Sequence, residues 1–192
     1  MKERGVSADH STVISWTIRF LPLLENIFRI KYKRSIGRSW RIDETYIKVK
    51  GSWKYLYRAV DKEGNTIDFL LTAKRDKAAA MRFFKKAINT NDMPEKVAMD
   101  KSGANKAAIE QITKNNDTSI VVRQVKYLNN IVEKDHRAVK RITKPMLGFK
   151  SFQSAKNVLS GIELMHMIRK GQLMMEEAEK MSFAEQFYAL AR

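Results

Sequence analysis

The chain contains no cysteine. Disulfides and thiolate metal sites are therefore excluded, and the absence fits a reducing compartment. Nowhere do apolar residues run together for the roughly 18 positions that a membrane-crossing helix needs. The opening residues, Met1 to Gly5, lead into no uninterrupted apolar segment with a small-residue cleavage site, so a secretory signal is not expected. Acidic residues are the other shortage: 21 Asp and Glu stand against 37 Lys and Arg, for a net charge of +16. Such an excess favours a polyanionic partner. A membrane-surface protein would gather its cations on one amphipathic helix. Here they are spread over predicted strands, loops and helices alike, which favours nucleic acid. What is present in quantity is apolar material, 44% of 192 residues, enough for one sizeable core.

The stretch Trp40 to Asp61 reads as a β-hairpin. Ile42, Tyr46, Ile47 and Val49 supply one β-rich run, Lys50-Gly51-Ser52 the turn, and Trp53 to Val60 the second run. Alternation places Asp43 on the same side as Thr45, Ile47 and Val49, whose apolar members want a core. A carboxylate there is either solvated near a strand end or held by a partner or a metal.

Before the hairpin, Gly5-Val6-Ser7 reads as a turn, and Asp9 or Ser11 is placed to cap a helix through Val13, Ile14, Trp16 and Phe20. Pro22 is expected to end or offset it, with a second helical stretch from about Leu23 to Lys33. Arg29, Lys31, Lys33, Arg34 and Arg38 make a basic linker. A turn followed by a helix is half of a helix-turn-helix, though a simple packing helix reads equally well. After the hairpin, Gly64 suits a turn and Thr66 to Thr72 makes a third strand, giving an antiparallel meander. Asp76 caps a helix with the stripe Ala80, Phe84, Ala87, Ile88. A short strand, Lys96 to Met99, ends at Asp100. Ser102 and Gly103 open a helix with Ala108, Ile109 and Ile112 inward, and Ile120 to Val125 is a fifth strand. Asn129 or Asn130 caps the helix Ile131 to Arg141. In the helical remainder, Ala155, Leu159, Ile162, Met165 and Arg169 trace a stripe broken at Gly171. Ser182 to Glu185 is a capping box. The order is mixed α/β.

Three carboxylates stand out. Asp43 lies within the first strand, Asp100 at the C-terminal end of the fourth, where ligands bind in sheets with parallel strands, and Glu133 in the first turn of a helix. Converging alone they would repel one another. With two divalent cations they become oxygen ligands for phosphodiester chemistry. An all-oxygen set points to Mg²⁺ or Mn²⁺ rather than zinc. On the Glu133 helix, Val132, Val139 and Ile142 form a face able to pack inward. Glu133, Arg137 and Lys140 lie about 100° away, with His136 between. Arg137 and Lys140 either neutralise Glu133 or, with Arg141, Lys144 and Lys150, track a DNA backbone.

Residues 43–61, Asp-Glu-Thr-Tyr-Ile-Lys-Val-Lys-Gly continuing to Trp-Lys-Tyr-Leu-Tyr-Arg-Ala-Val-Asp, resemble a signature block of bacterial insertion-sequence transposases of the IS-six family. So do residues 125–141, Val-Lys-Tyr-Leu-Asn-Asn-Ile-Val-Glu-Lys-Asp-His-Arg-Ala-Val-Lys-Arg, and this second block is very specific. The similarity runs from about Arg4 to Gly171. It implies a ribonuclease-H-like core, here a mixed five-stranded sheet flanked by helices, with Asp43, Asp100 and Glu133 as a metal-binding catalytic triad. Two Mg²⁺ or Mn²⁺ ions are expected there. Arg137, Lys140, Arg141, Lys144 and His136 are the expected DNA contacts, Lys140 being the basic residue seven positions after the glutamate. Three regions follow: 1–38, a partial helix-turn-helix segment with its basic linker; 39–150, the catalytic core; and 151–192, C-terminal helices. The implied activity is cleavage at element ends followed by strand transfer. A ribonuclease-H-like nuclease or resolvase, or a non-autonomous DNA-binding remnant, is the alternative. The implied partners are double-stranded DNA, both element ends and target, and further copies of the chain in a homodimer or higher multimer. The implied setting is the bacterial cytoplasm, at the nucleoid. Residues forming the first part of the family's helix-turn-helix module are not in this sequence. Poor discrimination between element ends and other DNA is therefore expected.

Overall fold

The computed structural model describes residues 8–175 and 177–190; the turn expected at Gly5 to Ser7 lies outside them. The elements run α1 (His10–Ile27), β1 (Ser39–Val49), β2 (Ser52–Val60), β3 (Thr66–Thr72), α2 (Lys77–Asn91), β4 (Lys96–Ala98), α3 (Gly103–Asn115), β5 (Val121–Arg123), α4 (Asn130–Thr143), α5 (Phe152–Arg169) and α6 (Phe183–Ala189). The chain divides into two units, one spanning Arg34–Phe149, the other made from the segments up to Lys33 and from Lys150. No helix among the described residues is long and apolar enough to cross a membrane.

Arg34–Phe149 is built on one five-stranded sheet in the order β3-β2-β1-β4-β5. The meander β1–β2–β3 is antiparallel, whereas β4 and β5 run parallel to β1. Lys50 and Gly51 both take positive φ at the hairpin turn, 48° and 74°, matching the twist of the flanking strands. Period-two alternation then sorts the side chains. Trp40 and Ile42 of β1 share a face with Tyr57 and Ala59 of β2. They pack with Phe83, Phe84 and Ala87 of α2 and Ala108, Ile109 and Ile112 of α3. On the opposite face lie Asp43, Thr45, Ile47 and Val49 with Leu56 and Arg58, the side over which α4 packs.

The structure differs from expectation at three places in this unit. Ile142 does not pack inward: the buried face of α4 is Val132, Asp135, His136, Val139 and Thr143, and Ile142 is exposed. Asn129 precedes α4 without capping it through its side chain, because its amide donates to the Ile42 carbonyl of β1 at 3.5 Å. The fifth strand is also shorter than its apolar run, only Val121–Arg123.

In the second unit Pro22 neither ends nor offsets a helix; α1 passes straight through it and closes in a π-turn over Phe28–Tyr32. Proline removes the N–H that would bond the carbonyl four residues back, that of Ile18. Asn157 of α5 supplies the replacement, its side-chain amide donating to the Ile18 oxygen at 3.0 Å. The buried face of α5 is also rotated from the expected stripe. It comprises Ala155, Leu159, Ser160, Gly161, Glu163, Leu164, Met167 and Ile168, while Ile162 and Met165 are only partly buried and Arg169 is exposed. Gly161 explains the rotation, since a β-carbon there would overlap the Leu21 side chain of α1. Arg29, expected in a basic linker, is buried and ion-paired with Glu25 one turn earlier.

Candidate active site

β1 carries Asp43 beside the point where β4 stops pairing with it, for β4 accompanies only Ser39–Arg41. Asp100 follows β4 by two residues and Glu133 stands in the first turn of α4. The three side chains line one cleft of about 450 Å³, with Met99, Lys101, Gln124 and Asn129. Their surroundings differ. Glu133 is exposed, whereas the Asp43 side chain is 23% exposed and Asp100's 39%. Asp100 is held from two directions, with Oδ1 accepting from the Ser102 N–H at 3.1 Å and Oδ2 from Arg75 Nη2 at 2.9 Å.

Glu44 is the carboxylate that sequence reasoning passed over. Its side chain is 3% exposed and accepts from Arg75 Nη2 at 3.3 Å and Asn105 Nδ2 at 3.0 Å. Burial pushes its pKa up, while Arg75 and Asn105 pull it back. Arg75 thus bridges Glu44 and Asp100. The signal was available: Glu44 shares its strand face with Trp40, Ile42 and Tyr46, and an unpartnered glutamate does not belong there.

Oxygens of Asp43, Glu44 and Asp100 lie within 4.8 Å of one another, close enough to share a cation. Glu133 does not join that cluster of mutually close oxygens, but it lines the same cleft and its charge acts on Asp43. The Asp43 carboxyl is pushed up to about 6, first by burial and then by Glu44, Asp100 and Glu133, against a lowering bond from the Glu44 backbone. Crowded like charges of this kind are what a divalent cation relieves. An all-carboxylate donor set fits a hard, oxygen-seeking ion.

His136 is not an exposed DNA contact. It is buried on the inner face of α4, Nε2 3.9 Å from Asp43 Oδ2, and neither ring nitrogen has a hydrogen-bond partner among the described residues. Burial, helped by the charges of Arg58 and Lys140, holds its pKa down to about 3. It is therefore neutral and makes no ion pair with Asp43. Arg137, Lys140, Arg141 and Lys144 are exposed on α4 and just beyond it.

Residues 37–172 match the family described as the DDE domain. The transposase for the insertion sequence-like element IS431mec of Staphylococcus aureus is 41% identical over 172 residues, covering 88% of this chain and 75% of that protein. The transposase for IS257 in transposon Tn4003, also from Staphylococcus aureus, gives the same identity and coverage. Among solved structures, the catalytic core domain of BIV integrase superposes with a TM-score of 0.51 at 16% identity, covering 67% of this chain and 83% of that one. The five-stranded mixed sheet with flanking helices is accordingly ribonuclease-H-like. On the strength of the matched domain and the identity running through most of its length, the chain belongs to the IS-six family of DDE transposases.

Proposed function

We propose that Asp43, Asp100 and Glu133 are the catalytic carboxylates of this DNA transposase, and that they work with two Mg²⁺ or Mn²⁺ ions. The observation that carries the reading is the single cleft lined by all three, in which their mutual repulsion already acts on Asp43. Divalent cations held there would supply positive charge at the phosphoryl oxygens and the two exchanging oxygens. The chain supplies position: Arg75 and the Ser102 N–H orient Asp100, and α4 carries Glu133 to the cleft's edge.

Two in-line displacements follow. In the first, water attacks the phosphorus at the element's end; the new O–P bond forms as the P–O3′ bond breaks, freeing the element's 3′-hydroxyl. In the second, that hydroxyl attacks a target phosphodiester, and the target's own 3′-oxygen leaves. Arg137, Lys140, Arg141 and Lys144 would hold the DNA backbone beside the cleft. Double-stranded DNA, as element end and as target, is the partner, and two ends brought together imply at least a dimer. Residues up to 38 would contribute further DNA contact and those beyond 150 the helical packing around it.

An oligonucleotide assay that separates nicking from strand joining tests the reading. Glu133→Gln should cut both products by about 10²- to 10³-fold, because the cation that stabilises the reacting phosphate would lose a carboxylate ligand. Asp117→Asn, on an exposed turn, should change neither. Nicking without joining would assign a hydrolytic nuclease instead, and full activity in Glu133→Gln would remove this glutamate from the site.

A further inference from the structure

A second cavity in Arg34–Phe149 exceeds the carboxylate cleft in volume. It is a groove of about 700 Å³ beside the outer half of β1, against about 450 Å³ for the cleft. Its origin is topological. β4 leaves β1 after Arg41, and among the described residues no strand accompanies that edge of β1, the one opposite β2, until Phe149 bridges to Val49. The floor is fixed there by two backbone bonds, Phe149 N–H to the Lys48 carbonyl at 2.9 Å and Lys50 N–H to the Phe149 carbonyl at 2.8 Å. Gly148, at φ 111°, passes so close that a β-carbon would stand 3.2 Å from the Lys48 oxygen.

One wall is aromatic. Trp53, 61% exposed, meets Tyr46 edge-on at 6.4 Å, and Tyr46 is braced by Tyr55 at 5.4 Å. These rings are fixed by one another yet open to solvent. Across the groove stand Lys140 and Lys144, one turn apart on α4 and its end. A second copy of this chain would meet those ammonium groups with its own excess of +16. A nucleotide offers both things the groove asks for, a π-face for the rings and phosphate for the lysines.

We infer that this groove is a binding site for one unpaired DNA base next to the scissile phosphate, an inference that rests on the DNA-cleaving role of the carboxylate cleft. Glu133 and Lys140 lie on the same helical face, about 10 Å apart along the axis at ~1.5 Å per residue. That is about three base steps at ~3.4 Å each. A base inside a duplex has both faces covered by its neighbours, so only one released from pairing can lie against Trp53. The groove thus favours opening of the strand within about three nucleotides of the bond to be cut.

The test uses the full chain in EDTA with short duplexes carrying 2-aminopurine, either paired with thymine or unpaired opposite an abasic site. The wild-type chain should bind the unpaired probe more tightly, by roughly five- to 150-fold, the range set by one base stacked on an aromatic ring. Its fluorescence should be quenched on binding. Trp53→Ala should remove both the preference and the quenching, and Trp53→Phe should keep most of each. Trp53 is largely outside the core, so these variants fold. Equal affinity of the wild type for the two probes would overturn the inference. So would an equal fall for both probes in Trp53→Ala, which would leave only backbone contact. A fall in the sedimenting mass of the DNA-free protein on that substitution would give the groove to a second copy, again overturning it. Nicking of the same duplexes in Mg²⁺ is scored separately. Preference without nicking would count against the catalytic reading, whereas nicking without preference would sink the base site alone.

Discussion

Replacing Asp43 with asparagine should abolish Mg²⁺-dependent cleavage and, in metal-free buffer at neutral pH, make the protein harder to unfold. Burial and the neighbouring carboxylates push this carboxyl from its ordinary 3.8 up to about 6 in the folded chain. The folded state therefore holds this proton more tightly than the unfolded chain does. Stability falls as pH rises from about 4 to about 6, and the full cost is present above 6. Two pKa units correspond to about 3 kcal/mol at most, and partial exposure of the side chain reduces it. Asparagine keeps the shape and removes the charge. The melting temperature should rise by about 2–4 °C for each kcal/mol recovered, and the difference should vanish below about pH 4. His136, whose depressed pKa gives the opposite slope between about 6.5 and 3, is present in both proteins and cancels in the comparison. Adding Mg²⁺ should stabilise the wild type and leave the variant nearly unmoved. Thermal unfolding across pH, with and without the ion, measures all of this. A variant less stable than the wild type without metal would mean that Asp43 is a structural carboxylate.

Arg58→Met should be the most destabilising single change on the α4 side of the sheet. Arg58 faces Asp43 across the β1–β2 ladder, is 0% exposed, and places Nη2 2.7 Å from Asp135 Oδ2 on α4. Taking that cation away leaves a carboxylate buried with its compensation lost, a cost of about 3–5 kcal/mol. An exposed pair such as Lys106 with Glu110 is worth less than about 1 kcal/mol by comparison. The double change Arg58→Met with Asp135→Leu should recover most of the loss, because two apolar side chains need no counter-charge. Cleavage should fall with stability in the single variant, since α4 carries Glu133. Urea denaturation provides the number, and a loss under about 1 kcal/mol would show that the ion pair does not hold the helix to the sheet.

How far the sequence could be read depended on the range of the physics involved. The hairpin, the third strand and the caps at Asp76 and Ser182 are local: alternation, turn chemistry and side-chain oxygens three residues from their N–H groups specify them. Continuation of α1 through Pro22 was not legible, because the group that satisfies the orphaned Ile18 carbonyl is Asn157, far along the chain. Nor was the face of α5, where close approach of Leu21 at Gly161 outweighs the apolar periodicity. Asp43 within β1, Asp100 just past β4 and Glu133 in the first turn of α4 were legible as candidates, and the structure brings all three to one cleft. Glu44 carried a local signal, its place on the apolar face of β1, but its partners Arg75 and Asn105 lie far along the chain and were not legible. His136 misled for a related reason. On the helix it sits between Arg137 and Glu133, but the inner face of α4 is widened by Asp135 reaching Arg58, and the imidazole turns inward with it.

Iron-directed backbone cleavage tests the central claim, that the carboxylates of this one cleft hold divalent cations, most directly. Fe²⁺ takes the place of Mg²⁺ on oxygen ligands, and with ascorbate and peroxide it generates radicals that cut the nearest peptide bonds. The wild-type protein should be cut at three places, around Asp43 on β1, around Asp100 after β4 and around Glu133 at the start of α4. Excess Mg²⁺ should suppress all three together, and Asp43→Asn should abolish them together. Cuts at other positions, or cuts at these that survive Asp43→Asn, would contradict a shared metal site.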